Sequence, residues 1–410
     1  MRKLLPLLWC ATTFAADIEQ LHQFNQRHRF FELRNALQEF GPDRAETLFY
    51  RAVLASRFGH EAEGVELLQK VLAAAPDRQM KRATHEEMAS ALERLGRYRE
   101  AAQAWNEALL LTPAVDPDRK DTENTRSLLT ALSDVAPEMV DFGVDEPTKA
   151  TRNQLGSWDV SLHVNGIPAL WIFDTGANLS TVTKSEAKRL GLTVRDSTAY
   201  VKGSTDNKNA LQVAVAKDVQ FGARHIHNVV FLVLADEALY ISPVHHQIPG
   251  ILGLPVLRTL GRVEVASTGL IRILPKSAVP LGTPNLFFEG TSPIVAIDHN
   301  QRHLQMLLDT GANATTLYPS FREALEGREL TSLKAKQQKL GGAGRVIQRK
   351  TQVLPTLRLE ILRKPINLNR AALLAEAPKS DARYLDGVIG MDALWSGFLL
   401  DFEAMRLEVQ

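Results

Sequence analysis

The chain has 410 residues, which is enough for two or three domains rather than one small core. Hydrophobic residues make up 45% and charged residues 23%, as in a soluble globular protein, and the formal net charge is +1. This balance argues against a broad nucleic-acid surface, which requires a basic excess, so we predict no nucleic-acid partner. Beyond the first few residues no apolar run is long enough to cross a bilayer, so we predict no stable membrane span.

The N-terminus is typical of a secretory signal peptide over residues 1–16. Positive charge at residues 1–3 precedes an apolar stretch at 4–9 and small residues at 11–16, in the order that such signals require. Export to a bacterial periplasm or to the extracellular space is therefore expected. The only cysteine, Cys10, would leave with the signal, and a mature chain without disulfides favours a bacterial envelope. The alternatives are a buried helical turn and a lipid anchor on Cys10.

Residues 17–140 are predicted to form an all-α helical domain, because glycine and proline are sparse and apolar residues recur every three or four positions. An internal repeat lies within this region. Gly59 matches Gly96 and Pro76 matches Pro113, at the same offset in both cases (96 − 59 = 37 and 113 − 76 = 37). The repeat predicts two similar pairs of helices that pack side by side.

The second copy, residues 95–109, resembles a tetratricopeptide repeat. Small residues at Gly96, Ala101 and Ala108 would let paired helices approach closely, and Pro113 would end the second helix. The resemblance implies a surface for a peptide or protein partner. The alternative is a domain that only packs against, or spaces, the rest of the chain.

A polar stretch at residues 141–153 is predicted to be a linker, and strand-like alternation begins after it. The residues Trp158–Val164 alternate between apolar and polar, and Asn165-Gly166 then gives a strong tight-hairpin signal. A second apolar strand, Ala169–Phe173, runs directly into Asp174. From here to the C-terminus we predict a mainly β structure.

The β region is itself duplicated. The sequence WIFDTGAN at residues 171–178 matches MLLDTGAN at residues 306–313, and both begin with an apolar strand that ends on an aspartate. Each half also contains a later apolar segment between glycines, GILG at 250–253 and GVIG at 387–390. The distance from the aspartate to the last glycine is similar in the two halves (253 − 174 = 79 and 390 − 309 = 81).

Further elements are predicted around these segments in both halves. A short helix follows each glycine segment, and two closing strands follow each helix. The predicted helices are Leu254–Leu260 and Met391–Trp395; the predicted closing strands are Arg262–Val265, Ile271–Leu274, Phe398–Phe402 and Leu407–Val409; the hairpin before the second aspartate is Ile294–Ile297 with Leu304–Leu308.

These motifs closely resemble the pepsin and retropepsin aspartic peptidases over residues 155–410. In that family each lobe supplies one Asp-Thr/Ser-Gly turn and one apolar-apolar-glycine strand that crosses it. The resemblance implies a bilobal acid-protease fold, with one lobe at residues 154–280 and the other at 281–410. The lobes are short and carry the Asp-Thr-Gly-Ala form of retropepsins, but they are fused in one chain as in pepsins.

The resemblance implies an aspartic endopeptidase that acts on polypeptides without a metal or cofactor. Two adjacent carboxyls cannot both ionise cheaply, so they share one proton and activate a water between them. The implied catalytic residues are Asp174 and Asp309. The other implied site residues support the turns or pack beneath them: Thr175, Gly176, Thr310 and Gly311 in the turns, and Ile251, Leu252, Gly253, Val388, Ile389 and Gly390 in the packing strands.

Hairpins between each aspartate and its glycine segment are candidates for flaps over the substrate. In the first half the candidate residues are Tyr200 and Gly203, and in the second half they are Gly341, Gly342 and Gly344. A glycine-rich tip suits a hairpin that opens for substrate and closes over it. Ordinary hairpin loops are the alternative for both segments.

Two alternatives to the simplest functional interpretation stay open. The protein could be catalytically silent, with the helical repeats binding a partner. The lobes could pair between chains, although we expect an active monomer because the Pro275–Pro284 connection is long enough for internal pairing.

Ala177 and Ala312, in place of the serine that is common in pepsins, suggest a less acidic optimum because no hydroxyl donor lies beside each carboxylate.

Overall fold

The computed structural model describes residues 17–41, 44, 47–141, 146–202, 208–276, 282–342, 345–376 and 384–410. The predicted signal segment lies outside these residues. A helical region comes first and two β-barrel lobes follow it, as the sequence predicts. Within the described helices, none combines the length and the apolar character that a membrane span requires.

The N-terminal region is built from helices joined by short turns. Asp17 and Asp77 begin two of these helices, where their carboxylates accept hydrogen bonds from the N–H groups of Gln20 and Met80. The helices are α1 (Ile18–Gln26), α2 (Phe30–Leu37), α3 (Leu48–Arg57), α4 (Glu61–Ala73), α5 (Arg78–Arg94), α6 (Tyr98–Leu111) and α7 (Arg119–Ala131).

The two matched glycines of the internal repeat lie at equivalent turns. Gly59 separates α3 from α4 and Gly96 separates α5 from α6, with φ of +86° and +68°. This left-handed conformation favours glycine, which has no Cβ to clash. The sequence repeat therefore corresponds to two successive helical hairpins.

The first lobe is a closed barrel. Its described strands are β1 (Met139–Val140), β2 (Thr148–Arg152), β3 (Trp158–Val164), β4 (Ile167–Phe173), β5 (Ser180–Thr183), β6 (Val194–Lys202), β7 (Lys208–Phe221), β8 (Arg224–Leu234), β9 (Tyr240–Ile241), β10 (His246–Gln247), β11 (Gly250–Leu252), β12 (Arg262–Ala266) and β13 (Leu270–Leu274), with helices α8 (Lys184–Arg189) and α9 (Leu254–Thr259). The strand order is β3-β4-β11-β5-β8-β7, and β7 pairs again with β3 to close the barrel.

The second lobe repeats this topology. Its described strands are β14 (Leu286–Glu289), β15 (Ser292–His299), β16 (Arg302–Leu308), β17 (Thr316–Leu317), β18 (Lys334–Gly342), β19 (Arg345–Ile361), β20 (Lys364–Leu374), β21 (Gly387–Ile389), β22 (Gly397–Asp401) and β23 (Arg406–Val409), with helix α10 (Gly327–Ser332). The order β15-β16-β21-β17-β20-β19 is closed by a β15–β19 pair. The two lobes are thus related strand for strand.

A shared sheet joins the lobes within one chain. Its order is β2-β13-β12-β22-β23, so that β12 of the first lobe lies beside β22 of the second. These two strands run antiparallel, from Arg262 opposite Asp401 to Ala266 opposite Gly397. The Arg262 Nε also lies 2.7 Å from the Asp401 Oδ2, so an ion pair reinforces the junction.

Two sequence-based expectations differ from the structure. The predicted linker contains the strand β2, which pairs with β3 and β13. Only Ala150 of β2 is buried, so its polar composition does not distinguish it from a linker. Residues 391–395 form turns and not a helix. The strand β22 begins at Gly397, which leaves a shorter connection than the one that holds α9 in the first lobe.

Candidate active site

The two Asp-Thr-Gly turns occupy equivalent places, one at the end of β4 and the other at the end of β16. The Asp174 N–H donates to the Leu252 carbonyl and the Asp309 N–H donates to the Ile389 carbonyl, both at 3.0 Å. The strands β11 and β21 therefore lie parallel to β4 and β16 and hold the turns from beneath. This places the two glycine segments where the resemblance implies.

The last glycine of each segment is required by close packing. A Cβ on Gly253 would lie 2.6 Å from the Leu179 carbonyl carbon, and a Cβ on Gly390 would lie 2.6 Å from that of Ala314. No side chain fits at these distances. The chain that leaves each catalytic turn therefore passes directly over a glycine.

Two hydroxyls just past the Asp-Thr-Gly turns bind these glycines. Ser180 Oγ accepts the Gly253 N–H at 3.0 Å, and Thr315 Oγ1 accepts the Gly390 N–H at 3.2 Å. Both lie six positions after their aspartate, so the duplicated sequence carried this signal. Thr315 also binds Asp392 through its hydroxyl and its N–H, at 2.6 and 2.8 Å.

The threonines of the two turns exchange hydrogen bonds across the lobe interface. Thr175 N–H donates to Thr310 Oγ1 at 3.0 Å, and Thr310 N–H donates to Thr175 Oγ1 at 3.0 Å. Each hydroxyl then donates to a carbonyl of the other lobe, Thr175 to Leu308 at 2.8 Å and Thr310 to Phe173 at 3.0 Å. Both threonines are fully buried. Four bonds thus hold one turn rigidly against the other.

The carboxyls of Asp174 and Asp309 meet across this lock. A Cβ built on Gly176 would lie 2.6 Å from the Asp309 carboxyl carbon, and one on Gly311 would lie 2.5 Å from that of Asp174. Each glycine thus lies directly against the carboxyl of the opposite lobe. The Gly176 N–H donates to Asp174 Oδ1 at 2.7 Å, and the Ala312 N–H donates to Asp309 Oδ1 at 2.9 Å.

The electrostatics of the pair favour one shared proton. Burial, and then the charge of Asp309, raises the pKa of Asp174 to about 8. Burial also raises the pKa of Asp309, although the Ala312 N–H and the hydrogen bond with Asp174 stabilise its charged form. Because the carboxyls interact directly, they titrate as a pair. One proton shared by the pair is the charge state that direct contact of two buried carboxyls favours.

The flap candidates lie on the long hairpins β6–β7 and β18–β19. Tyr200 pairs with Ala210 in the first hairpin, and Gly341 and Gly342 end the strand β18 in the second. Gly203 and Gly344 lie outside the described residues. The flap assignment stays a prediction.

A bound metal ion is another way in which a protein site can activate water. Among the described residues, no group of three or more histidine, cysteine, aspartate or glutamate side chains could hold a metal ion.

Comparison with known proteins supports the same class of site. Residues 160–256 and 295–393 each match the sequence profile of a family described as aspartyl protease, and each match contains one Asp-Thr-Gly turn and one glycine segment. The crystal structure of a retropepsin-like aspartic protease from Rickettsia conorii aligns at 21% identity over 33% of this chain and 92% of that chain, with a TM-score of 0.25. No curated protein matches the chain. The two profile matches support a peptidase in general terms.

Proposed function

We propose that the protein is an aspartic peptidase in which Asp174 and Asp309 together activate a water molecule. The observation that carries this proposal is the contact of each turn glycine with the carboxyl of the opposite lobe. Two carboxyls are brought together by a buried four-bond lock, and burial raises the pKa of both, which supports a proton held between them. A structural turn has no need of this arrangement.

We assign the acid and base roles from the hydrogen bond between the carboxyls, which favours the protonated form of Asp174 and the charged form of Asp309. Asp309, the ionised member, takes a proton from the water, which then attacks the carbonyl carbon of the peptide. Asp174, the protonated member, donates a hydrogen bond to the carbonyl oxygen and stabilises its developing charge. The proton gained by Asp309 then passes to the leaving nitrogen, and the carbon–nitrogen bond breaks. The pair returns to one proton, so the cycle needs no covalent enzyme intermediate.

The test is hydrolysis of an unfolded protein such as casein between pH 3 and pH 9. The wild type should cut, while Asp174→Asn and Asp309→Asn should each lose about 10⁴-fold in rate, because either change removes one half of the acid–base pair. Circular dichroism of both variants controls for folding. Full activity in either folded variant contradicts the shared-pair mechanism.

A wild type that cuts nothing at any pH favours the alternative, a catalytically silent binding protein. In that alternative the helical domain carries the function by binding a protein or peptide partner. The tetratricopeptide-like character of this domain and the export of the chain stay predictions. Mass determination of the mature N-terminus in a bacterial periplasmic fraction tests export, and cleavage near residue 16 is the expected result.

A further inference from the structure

The helical domain packs on the surfaces that face the two aspartates. Successive residues of a strand point to opposite sides, so Phe173 points into the first barrel whereas Ile172 and Asp174 share the other side. The corresponding residues in the second lobe are Leu307 and Asp309. We name this side of each sheet the dyad face.

The dyad face of the first lobe runs continuously from the aspartate to the β6–β7 hairpin. Residues in register across neighbouring strands share a face. The pairs Ile172–Ile251, Ile251–Thr181, Thr181–Leu232 and Leu232–Val213 follow one another across β4, β11, β5, β8 and β7.

The far part of this face lies beneath the helical domain. Val213 and Val230 are fully buried in the same apolar cluster as the helical core, and Leu232 packs against that cluster. The helix α7 lies along β6, and Arg195 binds both oxygens of Asp134 just after α7, at 2.7 and 2.8 Å. The helical domain therefore occupies the base of the first hairpin on its dyad side.

In the second lobe the helical domain covers a different part of the dyad face. Here the register runs from Leu307 to Ile294 and then to Phe287, across β16, β15 and β14. Phe287 packs against Phe30 and Phe31 of α2, with ring centroids 5.2 and 5.3 Å apart. The rings of His28 and Tyr384 stack at 3.4 Å, three residues before β21 begins.

The groove between the two dyad faces is the proposed substrate cleft. These two contacts lie at the same end of it. Asn178, four residues after Asp174, and Ser292 of the second lobe are hydrogen-bonded at 3.4 Å. A small cavity beside this bond is lined by Asn178, by Thr291 and by Leu128 and Leu129 of α7. One domain thus meets both lobes where their cleft ends.

Among the described residues, the pseudo-equivalent positions at the other end do not belong to the apolar cluster of the helical domain. The counterparts of Leu232, Val213 and Arg195 are Ala372, Val353 and Lys334, and Lys334 is exposed. The counterparts of Ile294 and Phe287 are Asp159 and Thr151, of which Thr151 is exposed. Larger apolar side chains, Leu232, Ile294 and Phe287, thus line the covered end, whereas their counterparts are smaller or polar.

The covering contact has the character of a permanent interface. Glu61 of α4 lies between Arg94 and Arg258, with Glu61 Oε1 at 3.2 and 2.7 Å from their nitrogens, and it is only 2% exposed. Glu289 binds both His28 and Arg57 at 2.6 Å, and these partners hold its pKa down at about 2. Separation would break these charge-assisted hydrogen bonds and expose Phe287 and Val213 of the interface to water, which is costly.

We propose that the helical domain permanently closes one end of the substrate cleft, so that a bound polypeptide extends freely from the cleaved bond in one direction only. This inference rests on the proposed peptidase function. The favoured substrates would be polypeptides cut close to one chain end, with the short side lodged against α7 and the long side leaving past Asp159 and Val353.

The experiment uses the full chain and two nested sets of synthetic peptides built around one cleaved bond. One set is lengthened on the amino side and the other on the carboxyl side, and kcat/KM is measured for each. In one set kcat/KM should rise with length, as remote contacts contribute to catalysis. In the other it should fall by about 10²-fold once the peptide reaches the helical wall, because the scissile bond is then displaced.

Variants assign the wall to α7. Leu128→Ala should raise kcat/KM for the longer peptides of the obstructed set, whereas Leu110→Ala, at a residue 68% exposed in the same domain, should leave it unchanged. Equal tolerance of length in both sets overturns the proposal, and equal effects of the two variants remove α7 as the wall. If no peptide is cut, or if Asp174→Asn cuts equally well, the proposed function fails instead.

Discussion

The two lobes are nearly identical at the catalytic turn and dissimilar a few strands away from it. Each lobe supplies an aspartate, a threonine in the exchanged lock, a glycine against the opposite carboxyl and a hydroxyl that binds the glycine after the crossing strand. Away from the turn, Val213 is buried under helices while its counterpart Val353 is partly exposed. The proposed chemistry requires both copies to be alike, whereas the surroundings are free to differ.

Even close to the turn the lobes are supported differently. In the first lobe Trp171, on the strand that ends at Asp174, donates to Glu186 at 3.1 Å. In the second lobe Met306 takes the place of Trp171, and support comes from Asp392 instead. The same catalytic geometry is thus reached from two different sets of neighbours.

Alanine at each turn glycine is the strongest test of the likeness between the lobes. Gly176→Ala and Gly311→Ala should each reduce kcat/KM by about 10²-fold, because the new methyl group displaces the opposite carboxyl. Gly41→Ala is the matched control, since nothing lies within 4 Å of its Cβ position. A large effect at only one of the two turns would break the equivalence.

Replacement of the exchanged threonines tests the lock itself. Thr175→Val and Thr310→Val should each destabilise the protein by about 2 kcal/mol, because a buried N–H and a buried carbonyl of the opposite lobe lose their partners. Chemical denaturation measures this loss. Thr→Ser at the same sites keeps the hydroxyl and should cost less. If valine and serine variants unfold alike, the hydroxyl bonds do not stabilise the junction.

The dyad turns and glycine segments can be predicted from sequence because each is local and occurs twice. The support from Asp392 cannot, since its bond to Thr315 joins residues that are 77 positions apart. The docking of the helical domain is equally hidden. Phe287 and Val213 alternate like ordinary core residues of a strand, and alternation does not reveal which domain covers a face.

The pH dependence of activity reports the titration of the aspartate pair. The pair must hold one proton to work, and the pKa of Asp174 is raised to about 8. Activity should therefore persist at neutral pH and fall as the pH rises through about 8, when the shared proton is lost. A pH–rate profile checks this limit. Activity confined to strongly acidic pH would mean that the pair loses its proton much earlier.

The same shift predicts a change of stability with pH. The folded pKa of Asp174 lies above its unfolded value. The stability that this side chain contributes to the fold is therefore fully present below the unfolded pKa and is lost as pH rises through about 8. Asp174→Asn removes this dependence. Its Tm should exceed that of the wild type near pH 8 and approach it near pH 4. A variant Tm that lies below the wild type near pH 8 contradicts the assignment.

The smallest expected difference concerns the hydroxyls of Ser180 and Thr315, which bind the glycines that follow β11 and β21. Thr315→Ala should destabilise the protein by about 1 kcal/mol more than Ser180→Ala, because it also frees Asp392 from a hydrogen-bond partner. The free energy of unfolding of the two variants provides the comparison. Equal losses would show that Asp392 adds no stability to the second turn.

The fusion of both lobes into one chain changes what symmetry permits. A catalytic centre shared by two separate chains is lost on dilution because the chains dissociate. Here β12 and β22 belong to one chain, so their effective concentration stays high at any protein concentration. Identical subunits would also have to carry identical attachments, one at each end of the groove. Because the two lobes of this chain need not be identical, the helical domain is accommodated at one end of the groove alone. The two ends of the groove are therefore unlike.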